Sequence, residues 1–386
     1  MNIVEVQTSA HKKLFLDMVN FIYQNDAVYV RPLDIEIEAI FNPESNAFHS
    51  HGKCTRWILM EENGTCIGRL AAFINEKKAY TFDQPTGGMG FFECINDKAA
   101  AHLLMDTCRN WLQAQGMEAM DGPINFGEND NFWGLLIYGF THPAVGMNYN
   151  PPYYQDLFES YGFKTYFEQV SNHLDLTKPL PERFSNIAEW VSKKQGYHFE
   201  HLRMNNLEKY SKDFQEIYNN AWQYHENFQA MDDITVKQSL EKMKSFIDER
   251  FIWFAYVNAK PAAFIVTIPD VNQVIKYMKG KTNLIAKLKF AYYRWIGSIN
   301  RLRVVIMGVV PAYQKLGLES ALIMNAHKLI LPLNRYKEVE LSWVGDFNPK
   351  MRALHESTGA SLGKKHLTYR CLFNETGSFK RSSIIK

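Results

Sequence analysis

The stretch Val304 to Lys328, VVIMGVVPAYQKLGLESALIMNAHK, restricts the fold more than any other part of the chain. Four apolar residues, Val304 to Met307, run into Gly308, and Val309-Val310-Pro311 then turns the chain. Helical spacing begins near Lys315, with Leu318, Ala321, Leu322 and Ile323 apolar. The pattern predicts a strand, a tight connection and a helix N-terminus. Free N–H groups at such a terminus favour an anion. Gln314-Lys315-Leu316-Gly317-Leu318 adds a donor side chain and a glycine that permits close backbone approach to a phosphate. Glu319 puts a carboxylate near the same N–H groups.

The elements around this unit repeat. The chain opens with a strand over residues 2–7 and a helix over about 12–23, capped by Thr8 or Ser9. Strands at 56–61 and 66–75 flank the turn Glu62-Asn63-Gly64. A strand at 87–95, a helix at 98–115 behind an Asn96-Asp97 cap, and a short helix at 153–161 closed by Gly162 follow. The order then begins again, with a strand at 197–202, helical patterns at 207–224 and 236–249, and strands at 251–257 and 262–269. The 304–328 unit, a strand at 338–343, a helix at 349–357 and a strand at 368–373 complete it. We read a tandem duplication of one α/β unit, divided into 1–178 and 179–386 at Thr177-Lys178-Pro179-Leu180-Pro181. The first copy lacks the Gln314 to Gly317 type of loop, and Asp97 puts a carboxylate at its helix start. One anion site per chain is therefore expected, in the second copy.

A chain of 386 residues has room for two cores, and 46% hydrophobic residues can fill them. A net charge of +2 gives no global field for nucleic acid. Five scattered cysteines without a C-x-x-C pair fit a reducing compartment, and no metal site is expected. MNIVEVQTSAHKK has no apolar leader pattern, and no apolar run approaches the roughly 20 residues of a membrane span. A cytoplasmic protein is the expectation.

One local field stands out. Residues 271–303 contain Lys276, Lys279, Lys281, Lys287, Lys289, Arg294, Arg301 and Arg303 and no acidic residue. Leu284, Leu288, Ala291, Trp295 and Ile299 recur there at helical spacing. This reads as an inserted basic amphipathic helix. Three roles fit it: peripheral contact with anionic lipid, with Trp295 and Tyr292 at the interface; a cap on a pocket for a long acyl chain; or an ordinary surface helix.

Gln314 and Gly317 resemble the acyl-CoA loop of GCN5-related N-acetyltransferases (GNAT), Gln/Arg-x-x-Gly-x-Gly/Ala, with Glu319 where the last small residue belongs. Asn348 to Ala360 resembles the closing segment of that family, with His355 at its tyrosine position. The first half keeps a similar segment from Asn150-Pro151-Pro152-Tyr153-Tyr154 to Gly162-Phe163. A narrower resemblance rests on several blocks: Val30 to Leu33, Gly68 to Asn75, Gly90 to Glu93, Asp121 to Phe126, Gly134 to Leu136, Asn150 to Tyr154, and Glu340 to Trp343. In that order they resemble the YghO-type group of tandem acyltransferase-fold proteins, which includes bacterial ceramide synthases. Val344-Gly345-Asp346 departs from the Glu-Asp-Asn expected after Ser342-Trp343.

The resemblance implies a mixed α/β fold of two GNAT units, an acyl-CoA co-substrate with acetyl or longer chain, and transfer to an amine, such as a long-chain base. The alternative is a non-catalytic acyl-CoA or lipid-binding protein, which Glu319 and the missing tyrosine favour. An aminoacyl-tRNA-using ligase on the same fold is weighed against by the near-neutral charge. For acyl transfer, Gln314, Leu316, Gly317, Leu318 and Ser320 are the expected phosphate contacts. Val309 and Val310 are expected to face the acyl carbonyl. Glu340 is the expected base, with Glu93 as its counterpart, although it also reads as a strand-edge carboxylate facing water. His355 is expected to protonate the leaving thiolate or else to pack. Asn348 fits both a pantetheine contact and a helix cap. Tyr153, Tyr154 and Trp343 are expected to bind substrate, beside Phe126, Phe132, Trp133 and Tyr149; such aromatics also build cores.

Overall fold

The computed structural model describes residues 1–127, 131–223, 230–231, 236, 248–374 and 377–384. Its strands form one mixed sheet of 14 strands. From the first half come β1 (Asn2–Glu5), β2 (Gly52–Met60), β3 (Cys66–Asn75), β4 (Thr86–Cys94), β5 (Ala119–Gly122), β6 (Leu135–Tyr138) and β7 (Lys164–Asp175). From the second come β8 (Tyr197–His201), β9 (Ile252–Val257), β10 (Lys260–Pro269), β11 (Arg301–Val309), β12 (Glu338–Glu340), β13 (Val344–Gly345) and β14 (Ser361–Leu372). The helices that matter here are α1 (Ser9–Asp17), α2 (Asp34–Ile40), α3 (Lys98–Ala114), α4 (Tyr154–Tyr161), α5 (Glu182–Ser192), α6 (Leu207–Trp222), α7 (Leu284–Trp295), α8 (Leu318–Ile330) and α9 (Pro349–Ser357). The helical pattern at 236–249 lies, apart from its ends, outside the described residues.

Local chemistry explains most of these boundaries. Asp97 caps α3 by accepting from Ala100 N–H at 2.9 Å, and Ala101, Leu104, Met105, Cys108 and Leu112 then line its buried face. Gly162 ends α4 in the left-handed region that favours glycine. Asn348 caps α9 at the expected residue. α3 and α4 pack with β2–β5 into one core, and α5 and α8 pack with β9–β12 into another. Each Leu-sized side chain buried there contributes about 1.5–3 kcal/mol.

The duplication is visible in register. β4 runs parallel to β5 over three pairs, from Thr86↔Ala119 to Gly88↔Asp121. β11 runs parallel to β12 over three pairs, from Arg301↔Glu338 to Arg303↔Glu340. Beyond them each couple splays, and the longer strand runs six residues further, to Cys94 and Val309. Each long strand also carries a register shift against its antiparallel neighbour. Such bulges bend a strand away from its partner and widen the splay.

The centre of the sheet breaks the chain order. β14 lies beside β5, β7 lies beside β12, and β7 and β14 pair with each other. The last strand of each half thus completes the other half-sheet. Arg370 on β14 fixes this exchange through two hydrogen bonds to Asp121 on β5, at 2.6 and 2.7 Å, with both residues buried. Breaking one partner of such a pair costs about 3–5 kcal/mol. Neither central strand shows a clean apolar alternation, because Gln169, Ser171, Lys364, His366 and Thr368 point into the interior. Hence β14 is longer than the 368–373 strand expected, and KTYFEQVSNHLD gives no strand signal at all.

Deleting residues 361–386 should therefore destroy the first half-sheet as well as the second. We expect loss of cooperative thermal unfolding by circular dichroism. A truncated chain with the full-length melting temperature would show that β14 is dispensable.

Candidate functional site

The splay between β11 and β12 gathers the expected cofactor residues. Val310 N–H pairs with Ala262 O on β10 at 2.9 Å. Backbone groups alternate along a strand, so those of Val309 face the other way, into the splay. The chain then turns through Pro311–Tyr313, Lys315 and Gly317, the last two with φ of 64° and 79°. Gly317 sits at the N-cap of α8 without a side-chain cap, and a Cβ there would lie 2.9 Å from the Val191 methyl. The site thus needs glycine both for its backbone angle and for its approach to α5. Gln314 is exposed, Leu316 and Ser320 are half-buried, and Leu318 is in the core. What Leu318 and Ser320 offer at the start of α8 is therefore their backbone N–H groups. Glu319 is half-buried in the first turn of α8, and burial raises its pKa.

Asn348 follows β13 and caps α9, accepting from Met351 N–H at 3.2 Å. After Glu340 the chain parts from β11 but stays on β7, where Leu341 N–H donates to Asn172 O at 2.8 Å. The loss of β11 as a partner ends β12 at residue 340 rather than at Trp343. Trp343 instead stands near Trp133, ring centroids 6.2 Å apart.

The first half has the same splay, and it is filled. Cys94 lies as far beyond Gly88 as Val309 lies beyond Arg303. Cys94 N–H donates to the Tyr154 hydroxyl at 2.9 Å, and the Tyr153 hydroxyl donates to Cys94 O at 2.7 Å. Tyr154 also donates to Glu93 at 2.8 Å, as does Tyr23. Burial raises the Glu93 pKa, against the neighbouring Arg69 guanidinium and these hydroxyls, which lower it. A cavity of about 50 Å³ remains beside Glu93, room for little more than water. Tyr153 and Tyr154 therefore belong to the first half-sheet, away from the 314–320 loop. In the second half the start of α9 reads Pro349-Lys350-Met351-Arg352, with no tyrosine.

Glu340 is an interior residue, 2% exposed, not a strand-edge carboxylate facing water. One oxygen lies 3.8 Å from the Lys364 ammonium, itself 2% exposed, and the other has no hydrogen-bond partner among the described residues. Burial lowers the Lys364 pKa, and Glu340 opposes that shift. Trp133 Nε1, Gln169 Nε2, Ser171 Oγ and His366 Nδ1 are likewise buried without partners. Nearly all buried polar groups have partners, so such a concentration is unusual. Sequence reasoning missed this layer. Arg301 and Arg303, assigned to the basic insertion, are buried on β11, and Arg301 is bonded to Asp270 at 2.6 and 2.8 Å. Their only sequence signal was adjacency to an apolar strand.

His355 is buried within α9, where burial pulls its pKa to about 4. The ring is neutral at pH 7 and holds no imidazolium proton to donate. Its position four residues before Gly359 matches that of Phe158 before Gly162, a core residue of the first half.

Comparison with known proteins agrees with this architecture. No family model matches the chain. It is 27% identical over 382 residues to bacterial ceramide synthase of Caulobacter vibrioides, covering 96% of each chain. It is 26% identical over 368 residues to protein YghO of Escherichia coli, covering 92% of each. A tandem GNAT protein from the clavulanic acid biosynthesis pathway superposes with a TM-score of 0.56 at 10% identity, over 97% of this chain and 99% of that one. The chain is a tandem GNAT-fold protein, similar over its length to YghO and bacterial ceramide synthase. A GNAT protein of Sphaerobacter thermophilus has the same arrangement, with a TM-score of 0.51 at 9% identity and 98% coverage of both chains. Among the described residues of this GNAT chain no helix is long and apolar enough to cross a membrane, and no cluster of His, Cys, Asp and Glu could hold a metal.

Burial also holds His366 at about 4, so two histidines enter the core uncharged. Unfolded histidine titrates near about 6.5. Their contribution is complete above that value and is lost as pH falls toward 4, by about 1.4 kcal/mol per pH unit for each. His355→Phe should flatten this slope by about one histidine, measured by urea unfolding between pH 7 and pH 4.5. An unchanged slope would mean that His355 is solvated.

Proposed function

We propose that this protein is an acyl-CoA-dependent N-acyltransferase with one CoA site per chain, in the splay between β11 and β12. One observation carries the reading. The backbone groups that would meet the acyl-pantetheine arm are taken by Tyr153 and Tyr154 in the first half, and the second half has no such tyrosines. The Val309 N–H would polarise the thioester carbonyl and hold the oxyanion as the amine attacks. Val310 shapes the turn beside it. The start of α8, from Gln314 and Leu316 through Gly317, Leu318 and Ser320, would take the phosphates. Asn348 would hydrogen-bond the pantetheine arm while its side chain caps α9.

As the C–N bond forms and the C–S bond breaks, one proton must leave the amine nitrogen. Glu340, the last residue of β12, is the carboxylate assigned to take it; it pairs with Arg303 at the closed end of the splay, six residues before Val309, with Lys364 beside it. We assign the leaving thiolate no imidazolium donor, since His355 is neutral at pH 7. The acceptor is an amine, and the likeness to a ceramide synthase favours a lipid-type amine such as a long-chain base. Trp343, half-buried beside the fully buried Trp133, is the aromatic residue assigned to the acceptor. Glu319 favours the second reading, a non-catalytic acyl-CoA binder, and turnover separates the two.

Titration calorimetry with acetyl-CoA and palmitoyl-CoA should give one site per chain for at least one of them. Failure of both to bind would end the CoA reading. Glu319→Gln should tighten binding by about fivefold at pH 7.5. Because the Glu319 pKa is raised, wild-type affinity should rise as pH falls and the carboxyl gains its proton, and the variant should lack that part of the rise. Equal pH profiles would mean that Glu319 points away from the phosphates.

Glu340→Gln should lower kcat by about 10²–10⁴-fold while leaving CoA affinity unchanged. Full activity in that variant would remove Glu340 from the chemistry, and CoA binding without any turnover in wild type would favour the binder.

A further inference from the structure

The helix α7 carries an apolar face that none of the described residues covers. Leu284, Ile285, Leu288, Tyr292, Trp295 and Ile296 are exposed by 73, 66, 61, 54, 82 and 49%. At 3.6 residues per turn they form one continuous stripe along the helix and its end. Lys287 and Arg294 lie along one edge of this stripe and Lys289 along the other, and none of the three forms an ion pair among the described residues. The opposite face, Ala286, Phe290 and Tyr293, packs inward. The apolar spacing seen in the sequence is therefore the outward side from Leu284 to Trp295, and the core contact uses other residues together with Ile299 beyond the helix.

The helix is held firmly in this pose. Asn283 caps it by accepting from Ala286 N–H at 3.0 Å. Tyr293 stacks on Tyr277 at 3.6 Å. Val30 and Leu33 of the first half pack with Ile275, Met278 and Ala286. Lys281 bridges to Asp34 at 2.7 Å, and exposed Ile35 follows directly on α2. A cavity of about 310 Å³ lies on the inner flank, lined by Phe290 and Arg294 together with Val271 and Tyr336. The outward stripe does not face it, so the stripe is not a lid on that cavity.

We propose that α7 docks the protein on an anionic phospholipid bilayer, lying in the headgroup layer with its Leu, Ile and Trp side chains toward the acyl chains. Charge complementarity selects this occupant. Residues 271–300 contain six basic residues before β11 and no acidic one, which suits a negative surface. A Trp and a Tyr on the same stripe suit the polar–apolar boundary. The docking is independent of the acyl-transfer reading, because its test involves no turnover. It would keep the chain beside lipid-type substrates.

The experiment is co-sedimentation of the full chain with vesicles of phosphatidylcholine alone and of phosphatidylcholine mixed with phosphatidylglycerol. Wild type should bind the mixed vesicles and lose binding in high salt. Lys287→Gln/Lys289→Gln/Arg294→Gln should weaken partitioning by about a hundredfold. Leu288→Gln/Trp295→Gln should abolish it, with both variants keeping the wild-type melting temperature. Three outcomes would overturn the proposal: no binding of wild type to the mixed vesicles, equal binding of the variants, or a concentration-dependent dimer that the Leu288→Gln/Trp295→Gln variant dissociates while vesicles stay unbound.

Discussion

Two antiparallel strands, β7 and β14, lie side by side in the middle of the sheet, and each completes the half that the other belongs to by chain order. The rest of the molecule depends on this exchange. It joins two similar half-sheets into one, so neither can close its own hydrogen-bond ladder alone. It also buries a polar layer along the junction, because the side chains of both strands meet loops and the other half rather than water. Glu168 pairs with Lys365 at its half-exposed margin, Gln169 accepts from Thr368 inside it, and buried Arg370 clamps Asp121 with its guanidinium 3.7 Å from the Tyr166 ring centroid. Charged pairs at such depth contribute modestly to stability when intact and penalise any alternative pairing heavily.

The same symmetry gives the chain two equivalent splays, and their different contents divide the labour. In the first, tyrosines at the start of α4 saturate Cys94 and Glu93, making a packed, hydrogen-bonded plug. In the second, the corresponding helix starts with a Pro, and the end of β11 feeds a glycine turn and a helix N-terminus. The first splay is therefore closed by its own side chains, and the second is where the ligand is proposed to bind. Glu319 places a carboxylate in the first turn of α8, and phosphate binding at the proposed site would compete with that charge.

The insertion before β11 extends the platform. Its inner side is locked to Val30 and Leu33 of the first half, and its outer side presents an apolar stripe edged with cations. A helix that merely covered a core would direct that stripe inward. Rigid fixation combined with outward apolar exposure is what the proposed docking on an anionic bilayer would use.

Local chemistry was legible in the sequence. Asp97 and Asn348 cap helices by bonding N–H groups three residues on, and Gly162 and Gly317 adopt left-handed angles. These effects involve neighbours in the chain, so the 304–328 unit, the flanking helices and the repeated order followed from residue type and spacing. The strand exchange did not, because pairing partners hundreds of residues apart leave no local pattern, and polar strands such as 164–175 lack the apolar alternation that marks a half-buried strand. Nor did the plug at Tyr153 and Tyr154, the burial of Arg301, Arg303 and Glu340, or the outward aim of the α7 stripe. Periodicity reveals that a helix has an apolar face, and only the packing of the whole chain decides whether that face meets the core or remains uncovered.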